Sequence, residues 1–255
     1  MIRSGRVQRT VIVAFTAIAV SAIAARSGEQ GRAEKMFQED VIKTETGDLK
    51  ITFIGHGTVM FGYQGKVIYV DPVGNPSGTP VDYSKMPKAD VILITHEHFD
   101  HLDPKAVSVL RREQTKVVLT KACAEKVSGN AVMKNGDVLT VAGLKVEAVP
   151  AYNIAQKFHP KGIGNGYVLN FGKTRVYVAG DTENTPEMKQ LKNVDVAFLP
   201  MNLPYTMTPE MVADAAQAFG PKVLYPYHFG STDVNVLIDL LKDSQTTQVR
   251  VRKMK

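Results

Sequence analysis

The stretch THEHFDH, residues 95–101, contains three of the six histidines of the chain together with two carboxylates. Imidazole and carboxylate groups are suited to binding divalent transition metals. His96 and His98 lie two residues apart, so in an extended segment they point the same way and can bind one ion. Asp100 and His101 are adjacent and diverge, which puts them on a second ion beside the first. The stretch therefore predicts half of a two-metal site.

The residues on either side put this stretch on a loop between a strand and a helix. Residues 91–94 form a short apolar run, as expected of a buried central strand. Asp103 and Pro104 then form a helix start, with Asp as the cap and Pro at the first helical position. The alternative, a set of solvated loop histidines, is disfavoured because the loop follows a buried strand.

Two further strand ends are expected to complete the site. Asp181 follows a predicted strand at residues 174–179, after a glycine, and its carboxylate could bridge two cations. The alternative is an aspartate that caps a helix or turn. His228 follows a predicted strand at residues 223–227 in the same manner. Both residues are therefore predicted ligands.

The rest of the chain alternates β-branched runs with turn signals and helical stretches. Two groups of strands with interspersed helices predict an α/β sandwich, in which two sheets face each other with helices outside. Predicted strands cover residues 49–54, 59–63, 66–70, 91–94, 117–119, 137–141, 144–149, 167–171, 174–179, 194–199, 223–227 and 249–251, and predicted helices start at 104 or cover 122–127, 209–219 and 234–241.

The N-terminal segment differs from the rest. Residues 1–24 have a basic start, an apolar run and a small-residue cleavage site, which is the layout of a signal peptide. The alternative is a membrane anchor formed by residues 10–24, although this run is short for a bilayer span. Residues 25–47 are predicted to be a flexible lead-in, and residues 48–255 to form one domain. We expect an exported, periplasmic protein.

Charge and cysteine content exclude other functions. Three of the 31 basic residues and none of the 25 acidic ones lie in residues 1–24, so 28 basic and 25 acidic residues remain, a net charge of +3. This balance gives no support for nucleic acid binding. The single cysteine, Cys123, cannot form an internal disulfide, and we expect it to be a buried structural thiol.

Several motifs in order resemble one known family. THEHFDH is joined by GHGTVMF at 55–61, YVDPV at 69–73, GDT at 180–182 and YHFG at 227–230. Together they resemble the metallo-β-lactamase-fold metal-dependent hydrolases, in particular the branch of ascorbate-6-phosphate lactonase-like and phosphodiesterase-like proteins. The resemblance spans roughly residues 49–230. It implies a four-layer αβ/βα sandwich of two mixed sheets with outer helices.

The chain departs from the family at one ligand. Family members commonly carry a histidine after the strand that precedes GYV, whereas this sequence has Asn153 there. Three interpretations remain open: His159 reaches back from its glycine-containing loop, Asn153 supplies a weak oxygen ligand or supports the site, or fewer protein groups and more water hold the metal. His159 could also be an exposed loop residue or a substrate contact.

Two more residues have split interpretations. The resemblance puts His56 beside the site as an orienting or substrate-contacting group, against a loop histidine that is hydrogen-bonded locally. Asp71 also has two interpretations: it either supports the site or caps a turn. The loop at residues 202–207 either lines the pocket or simply connects a strand to a helix.

The expected function is that of a binuclear hydrolase. Water bound to the metals would attack, as hydroxide, an ester, lactone or phosphodiester bond of a small molecule. Asp100 would also be catalytic, because it orients this nucleophile. Two divalent ions are expected, with zinc favoured and manganese, iron or nickel as alternatives. The predicted ligands are His96, His98, Asp100, His101, His159, Asp181 and His228.

The sequence is also compatible with other functions, to different degrees. A metal-binding protein of the same fold with little or no activity remains an alternative, as does a β-lactamase, although the main zinc carbapenemases carry cysteine where Asp181 stands. A nuclease of this fold usually has a large inserted domain, for which this chain has no room. Di-iron oxygen or nitric oxide reductases typically have glutamate in place of His98.

Overall fold

The computed structural model describes Met1 and residues 36–254. Apart from Met1, the predicted signal peptide therefore lies outside the described residues, as does the first part of the lead-in. The strands are β1 (Gln38–Thr44), β2 (Gly47–Gly55), β3 (Thr58–Tyr63), β4 (Lys66–Val70), β5 (Val91–Leu93), β6 (Lys116–Leu119), β7 (Ala131–Val132), β8 (Val138–Val141), β9 (Leu144–Ala151), β10 (Gly164–Phe171), β11 (Thr174–Val178), β12 (Val196–Pro200), β13 (Val223–Tyr227) and β14 (Gln248–Val249). The α-helices are α1 (Pro104–Leu110), α2 (Lys121–Ala124), α3 (Pro186–Lys189), α4 (Pro209–Phe219) and α5 (Val234–Leu241).

The strands form two seven-stranded mixed sheets. The first has the order β1 to β7, antiparallel from β1 to β4 and parallel from β4 to β7. The second runs in the order β14 to β8, with β8 to β11 antiparallel and β11 to β14 parallel. Each half thus has the same plan, an antiparallel meander that continues into parallel strands.

Short turns explain the antiparallel parts. Gln64 and Gly65 connect β3 to β4, and both have positive φ, 48° and 73°, as a two-residue type I′ hairpin requires. Gly172, with φ 64°, lies in the turn that joins β10 to β11. These turns confirm the predicted hairpins.

Apolar side chains fill the space between the two sheets. Phe53 and Phe61 of the first sheet contact Phe198 of the second, with ring centroids 6.2 and 5.9 Å apart. A separate buried cluster lies on the other face of the first sheet, where Ile92 packs with Val107 and Leu110 of α1. On the second sheet, Phe219 of α4 contacts Tyr177 of β11. The helices therefore lie outside the sheets, and the predicted αβ/βα sandwich is confirmed.

The structure corrects the prediction that residues up to 47 are a flexible lead-in. Residues Gln38–Thr44 form β1, which pairs with β2 along its whole length. Asp40 anchors this strand, because its carboxylate accepts hydrogen bonds from Arg252 at 2.7 and 2.8 Å and from the Tyr225 hydroxyl at 2.5 Å. These partners lie about 185 and 212 residues away in the sequence, so the local sequence pattern does not reveal them.

Helix starts follow the predicted signals. The Asp103 carboxylate accepts from the backbone N–H groups of Lys105 and Ala106, so it caps α1. Thr208 caps α4 in the same way, and Gly220 ends that helix with φ 60°. None of the helices between residues 36 and 254 has the length and apolar character needed to cross a bilayer.

Cys123 is confirmed as a buried thiol. Its side chain is inaccessible to solvent, and it accepts a hydrogen bond from the Thr120 hydroxyl at 3.3 Å. Burial raises the pKa of the Cys123 thiol to about 11. The thiol therefore stays protonated at neutral pH, which makes it a poor nucleophile.

Candidate metal centre

The side chains at one end of the sandwich form overlapping groups of nitrogen and oxygen atoms. There are three such groups, and within each group the potential ligand atoms all lie within 4.8 Å of one another. We call His96, His98 and His159 the first group, and His56, Asp100, His101 and His228 the second group; a third set, His96, His101 and Asp181, links them. All six histidines of the chain are included. The seven predicted ligands are thus brought together.

Strand ends bring these residues to the same edge, as is common for sites in α/β sheets. Asp181 comes three residues after β11, and His228 directly follows β13. His56 follows β2, and its backbone oxygen accepts from the His228 N–H at 3.1 Å. This bond joins the two sheets at the site.

The THEHFDH loop is extended only at its start. His98 O accepts from the N–H groups of His101 and Leu102 at 3.0 and 2.8 Å, so the chain turns after His98. The turn puts Asp100 and His101 in the second group, while His96 and His98 stay in the first. That each pair binds its own ion stays a prediction.

Asp181 lies between the two groups. Its Oδ2 is 3.4 Å from His159 Nε2 and 3.4 Å from His228 Nε2, and its Oδ1 is 3.3 Å from His101 Nε2. Oδ2 is also 3.9 Å from His96 Nε2. One carboxylate thus contacts members of both groups, as a group bridging two cations would.

The buried polar atoms fit a metal. Four atoms that face this space are buried and have no hydrogen-bond partner: His96 Nε2, His101 Nε2, His228 Nε2 and Asp181 Oδ1. Leaving such groups unpaired costs about 1–3 kcal/mol each. Imidazole nitrogen and carboxylate oxygen are donors that bind divalent transition metals. Divalent cations bound here would satisfy these atoms.

Asp71 supports the site and is not only a turn residue. Its Oδ2 accepts from His101 Nδ1 at 2.7 Å and from the Thr95 hydroxyl at 2.6 Å, and its Oδ1 accepts from the Thr95 N–H at 2.8 Å. The bond to Nδ1 fixes the His101 ring so that Nε2 faces Asp181. Such carboxylate–histidine pairs orient ligands in metal sites.

Three residues of the site have left-handed backbone conformations. His56, Asp71 and His228 have φ values of 51°, 47° and 48°. Residues other than glycine rarely adopt this conformation, and it costs about 1–3 kcal/mol at each position. The surrounding fold keeps the three residues in these strained conformations, which direct their side chains towards the site.

His56 belongs to the second group and contacts Asp100. Its Nε2 is 3.1 Å from Asp100 Oδ2, and its ring lies against His228 with centroids 3.7 Å apart. Burial lowers the pKa of His56, although the hydrogen bond to Asp100 opposes this shift. A neutral His56 with its proton on Nε2 donates to Asp100. The site role of His56 is therefore favoured over a local one.

At His96 and Asp181, the electrostatics favour the protonation states that bind metal. Burial and the neighbouring His101 lower the pKa of His96 well below 6.5, so its imidazole is neutral. Burial disfavours the charged form of Asp181, but His228 and His101 outweigh it and hold the pKa of this carboxyl well below its usual range. Neutral imidazole and ionised carboxylate are the forms that coordinate metals.

The pKa values of His101 and Asp100 are also set by burial acting against nearby polar and charged groups. Burial opposes the charged form of His101, but the Asp181 and Asp71 carboxylates outweigh it and raise its pKa. A cation at Nε2 would take the place of this proton. Burial also opposes ionisation of Asp100, but the imidazoles of His228 and His56, whose Nε2 atoms lie 3.4 and 3.1 Å from Asp100 Oδ2, outweigh burial and hold the pKa of its carboxyl well below its usual range.

His159 belongs to the first group, and Asn153 is hydrogen-bonded to it. The Asn153 side-chain oxygen accepts from His159 Nδ1 at 2.6 Å and from the His159 N–H at 2.9 Å. The Asn153 N–H in turn donates to His159 O at 2.9 Å. Asn153 therefore stands beside the group and holds the histidine that enters it. This arrangement favours the interpretation in which His159 reaches back.

Glu183 is a supporting residue that the sequence analysis missed. Its buried carboxylate accepts from the backbone N–H groups of Ile154, Ala155 and Gln156 at 2.8 to 3.1 Å. The loop that carries His159 is thereby fixed to the segment after Asp181. Glu183 lies in GDTE, two residues after the predicted ligand Asp181, and this position was the one sequence feature that could have indicated its role.

The hydrogen bond from His159 leads to a test of Asn153. Asn153→Ala removes the acceptor at His159 Nδ1, and we expect metal affinity to fall about 10- to 100-fold, as when other ligand-orienting groups are lost. Asn170→Ala is the control, because Asn170 bonds to Lys145 and Glu147 instead. Competition with a metal-binding dye measures both. Equal affinities would contradict this role for Asn153.

Gly57 gives a second test. A Cβ at Gly57 would lie 2.7 Å from His101 Cε1, whereas one at Gly62 would lie 3.7 Å from its nearest neighbour, Lys50 Cβ. We expect Gly57→Ala to displace the His101 ring, to lower stability by about 1–3 kcal/mol and to weaken metal binding. Gly62→Ala should leave metal binding unchanged. Urea unfolding and metal titration of both variants measure the difference.

The fold and the cluster define a class of protein, the metallo-β-lactamase-fold metal-dependent hydrolases. Residues 50–228 match the family model of the Beta-lactamase superfamily domain. This match covers more than half of the chain, and the chain therefore belongs to that family.

Individual relatives agree. The chain is 34% identical over 204 residues to a UPF0173 metal-dependent hydrolase of Koribacter versatilis, covering 73% of this chain and 86% of that protein. A crystal structure from Parabacteroides distasonis, of a protein named as a metal-dependent hydrolase, has 50% identity and a TM-score of 0.81, covering 86% of this chain and 100% of that one.

A more distant structure supports the same class. Igni18, a metallo hydrolase from the archaeon Ignicoccus hospitalis, has 27% identity and a TM-score of 0.67, and it covers 81% of this chain and 95% of its own. The predicted family is confirmed, and the chain is a metal-dependent hydrolase of the metallo-β-lactamase superfamily.

Proposed function

We propose that this protein is an exported binuclear hydrolase that cleaves an ester, lactone or phosphodiester bond of a small molecule. The observation that supports the proposal most directly is Asp181, whose carboxylate lies within 3.4 Å of imidazole nitrogens from both groups of potential ligands. Two divalent ions would fit, with zinc favoured, since the donors are mainly imidazole nitrogens. Manganese, iron and nickel remain alternatives.

In this proposal each group of side chains holds one ion. His96, His98 and His159 would hold the first. Asp100, His101 and His228 would hold the second, and Asp181 would contact both. His56 stays a supporting residue, because its Nε2 is already paired with Asp100 at 3.1 Å.

The ions, when bound, would supply Lewis acidity that acidifies water and polarises a carbonyl or phosphoryl oxygen. The side chains would position the attacking water. Asp100 is the least buried carboxylate of the site, with 30% of its side chain exposed, so it can accept a hydrogen bond from the attacking water and orient it. His56 donates to Asp100 and fixes this carboxylate beside the opening.

Export to the periplasm is part of the proposal. Its support is the sequence of residues 1–24, with the basic start, apolar run and cleavage site described above. Cleavage after Ala24 is the proposed processing event, and membrane anchoring by residues 10–24 is the alternative. Mass spectrometry of protein from the periplasmic fraction, with Ala25 expected at the N-terminus, tests this step.

Activity is tested with the metal-loaded mature chain. It is offered an aryl ester, a lactone, bis(p-nitrophenyl) phosphate and a chromogenic β-lactam. We expect metal-dependent turnover of at least one of the first three, loss of turnover with a chelator, and recovery on adding zinc. Full metal content without turnover of any substrate would favour the metal-binding protein, and turnover of the β-lactam alone would favour the β-lactamase.

A further inference from the structure

We infer that the substrate of this site is a neutral carboxylic ester or lactone that carries an apolar group. This inference rests on the proposed hydrolase function and goes further, because it excludes phosphodiesters and anionic esters as preferred substrates. Its basis is that, among the described residues, the side chains that line the two cavities beside the metal centre include exposed apolar groups and no lysine or arginine.

Phe99 forms one side of the opening. It lies between His98 and Asp100, yet its side chain is 88% exposed, which is unusual for a large apolar residue. It lines a cavity of about 420 Å³ together with Val73, Pro76, His56 and Asp100. A cavity of this size accommodates a small molecule. A substrate held at Asp100 can therefore contact the Phe99 ring.

The loop that carries His159 forms the other side. Phe158 and Ile163 are each 41% exposed, and they line the narrow space beside His96, His98 and Asp181. The Phe158 ring contacts that of Tyr205 edge to face, with centroids 4.9 Å apart, and Tyr205 is 45% exposed. We call Phe99, Phe158, Ile163 and Tyr205 the apolar rim.

Tyr205 and Phe158 are also held in place. Asn153 donates a hydrogen bond to Tyr205 O at 3.0 Å, and its side-chain oxygen holds His159, the neighbour of Phe158. The rim and the ligand loop are thus connected through one residue. Because the backbone at Tyr205 and next to Phe158 is held before binding, less conformational entropy is lost when a substrate contacts these two residues.

The charges near the opening argue against an anionic substrate. Among the described residues, the two cavities beside the metal centre are lined by Glu97, Asp100, Asp103 and Asp181 and by no lysine or arginine. Lys161 is paired with Glu187 at 3.0 Å, and Lys126 donates to Glu97 O at 2.8 Å. Apart from the ions themselves, these cavities offer no cationic side chain of the kind that usually helps to bind phosphate, and Glu97 and Asp103 would repel a further negative charge, so a neutral substrate fits better.

The test compares substrates that differ in charge and apolar length. The metal-loaded mature enzyme is given p-nitrophenyl acetate, butyrate, octanoate and hemisuccinate, and bis(p-nitrophenyl) phosphate. We expect kcat/KM to rise from acetate to octanoate and to be lower for the hemisuccinate and the phosphodiester. Phe99→Ala should raise KM for the octanoate about tenfold, since it removes part of the surface that buries the chain, with a smaller change for the acetate.

Leu240→Ala is the control. Leu240 is 43% exposed on α5 and lines neither cavity, so its removal should leave every KM unchanged. Metal content and thermal midpoint of each variant, measured alongside, show that the Phe99 variant is folded and loaded.

The outcomes separate the two proposals. Absence of turnover by the loaded enzyme for every one of these substrates and for the lactone overturns the proposed function and this inference with it. Turnover that is highest for the phosphodiester or the hemisuccinate overturns the inference alone. The inference is also overturned if Phe99→Ala leaves the KM for the octanoate unchanged. It is likewise overturned if size-exclusion chromatography shows that this substitution converts an oligomer into a monomer, because a second copy would then cover the rim.

Discussion

Asp181→Ala is expected to lower hydrolytic activity by more than about 100-fold and to reduce the amount of metal bound. Loss of a group that only orients a metal ligand costs about 10- to 100-fold, and Asp181 lies within 3.4 Å of imidazoles from both groups. Removing it leaves those imidazoles without their shared anionic partner. The effect should therefore exceed that of Asn153→Ala.

Asp48→Ala is the control for this variant. Asp48 is an exposed aspartate that pairs with Lys43 at 2.8 Å and belongs to none of the three ligand groups, and an exposed pair contributes little to stability. Activity and metal content of Asp48→Ala should equal those of the unchanged protein. If Asp181→Ala retained full activity and metal content, the role given to Asp181 would be wrong.

Asp71→Ala is expected to cause the largest loss of stability, about 3–5 kcal/mol. Asp71 is fully buried, and its carboxylate accepts from His101 Nδ1 and from the Thr95 N–H and hydroxyl. The substitution leaves these donors buried without an acceptor, which is costly. It also frees the His101 ring, so metal affinity should fall with stability.

Asp90→Ala separates these two effects. Asp90 also accepts a backbone hydrogen bond in the first sheet, from Val67 at 2.8 Å, and it pairs with Arg112, but it belongs to none of the ligand groups. We expect it to lose stability with unchanged metal affinity. Urea unfolding of the metal-free proteins and metal titration of the folded ones measure both quantities. Equal affinity losses in the two variants would contradict a specific role for Asp71.

Much of the fold follows from local patterns. The hairpin at Gln64 and Gly65 and the helix starts at Pro104 and Pro209 were predicted because each depends on a few neighbouring residues. The strand β1 was missed because its anchor is Asp40 with Arg252, a pair that the sequence separates by 212 residues.

The site also has parts that local sequence patterns predict and parts that they do not. His96, His98, Asp100 and His101 lie in one motif, and Asp181 and His228 follow clear strands, so their gathering was predictable. The choice between His159 and Asn153 was not, because it depends on how the loop folds back. The Asn153 oxygen and the Glu183 carboxylate hold that loop, and neither contact has a sequence signature of its own.

The most direct test of the account is X-ray diffraction from crystals of the metal-loaded protein, measured on both sides of the absorption edge of the bound metal. We predict two anomalous peaks: one in contact with His96, His98 and His159, the other with Asp100, His101 and His228, and Asp181 in contact with both. Absence of any peak among these residues after metal loading, or peaks bound only by other side chains, would contradict it.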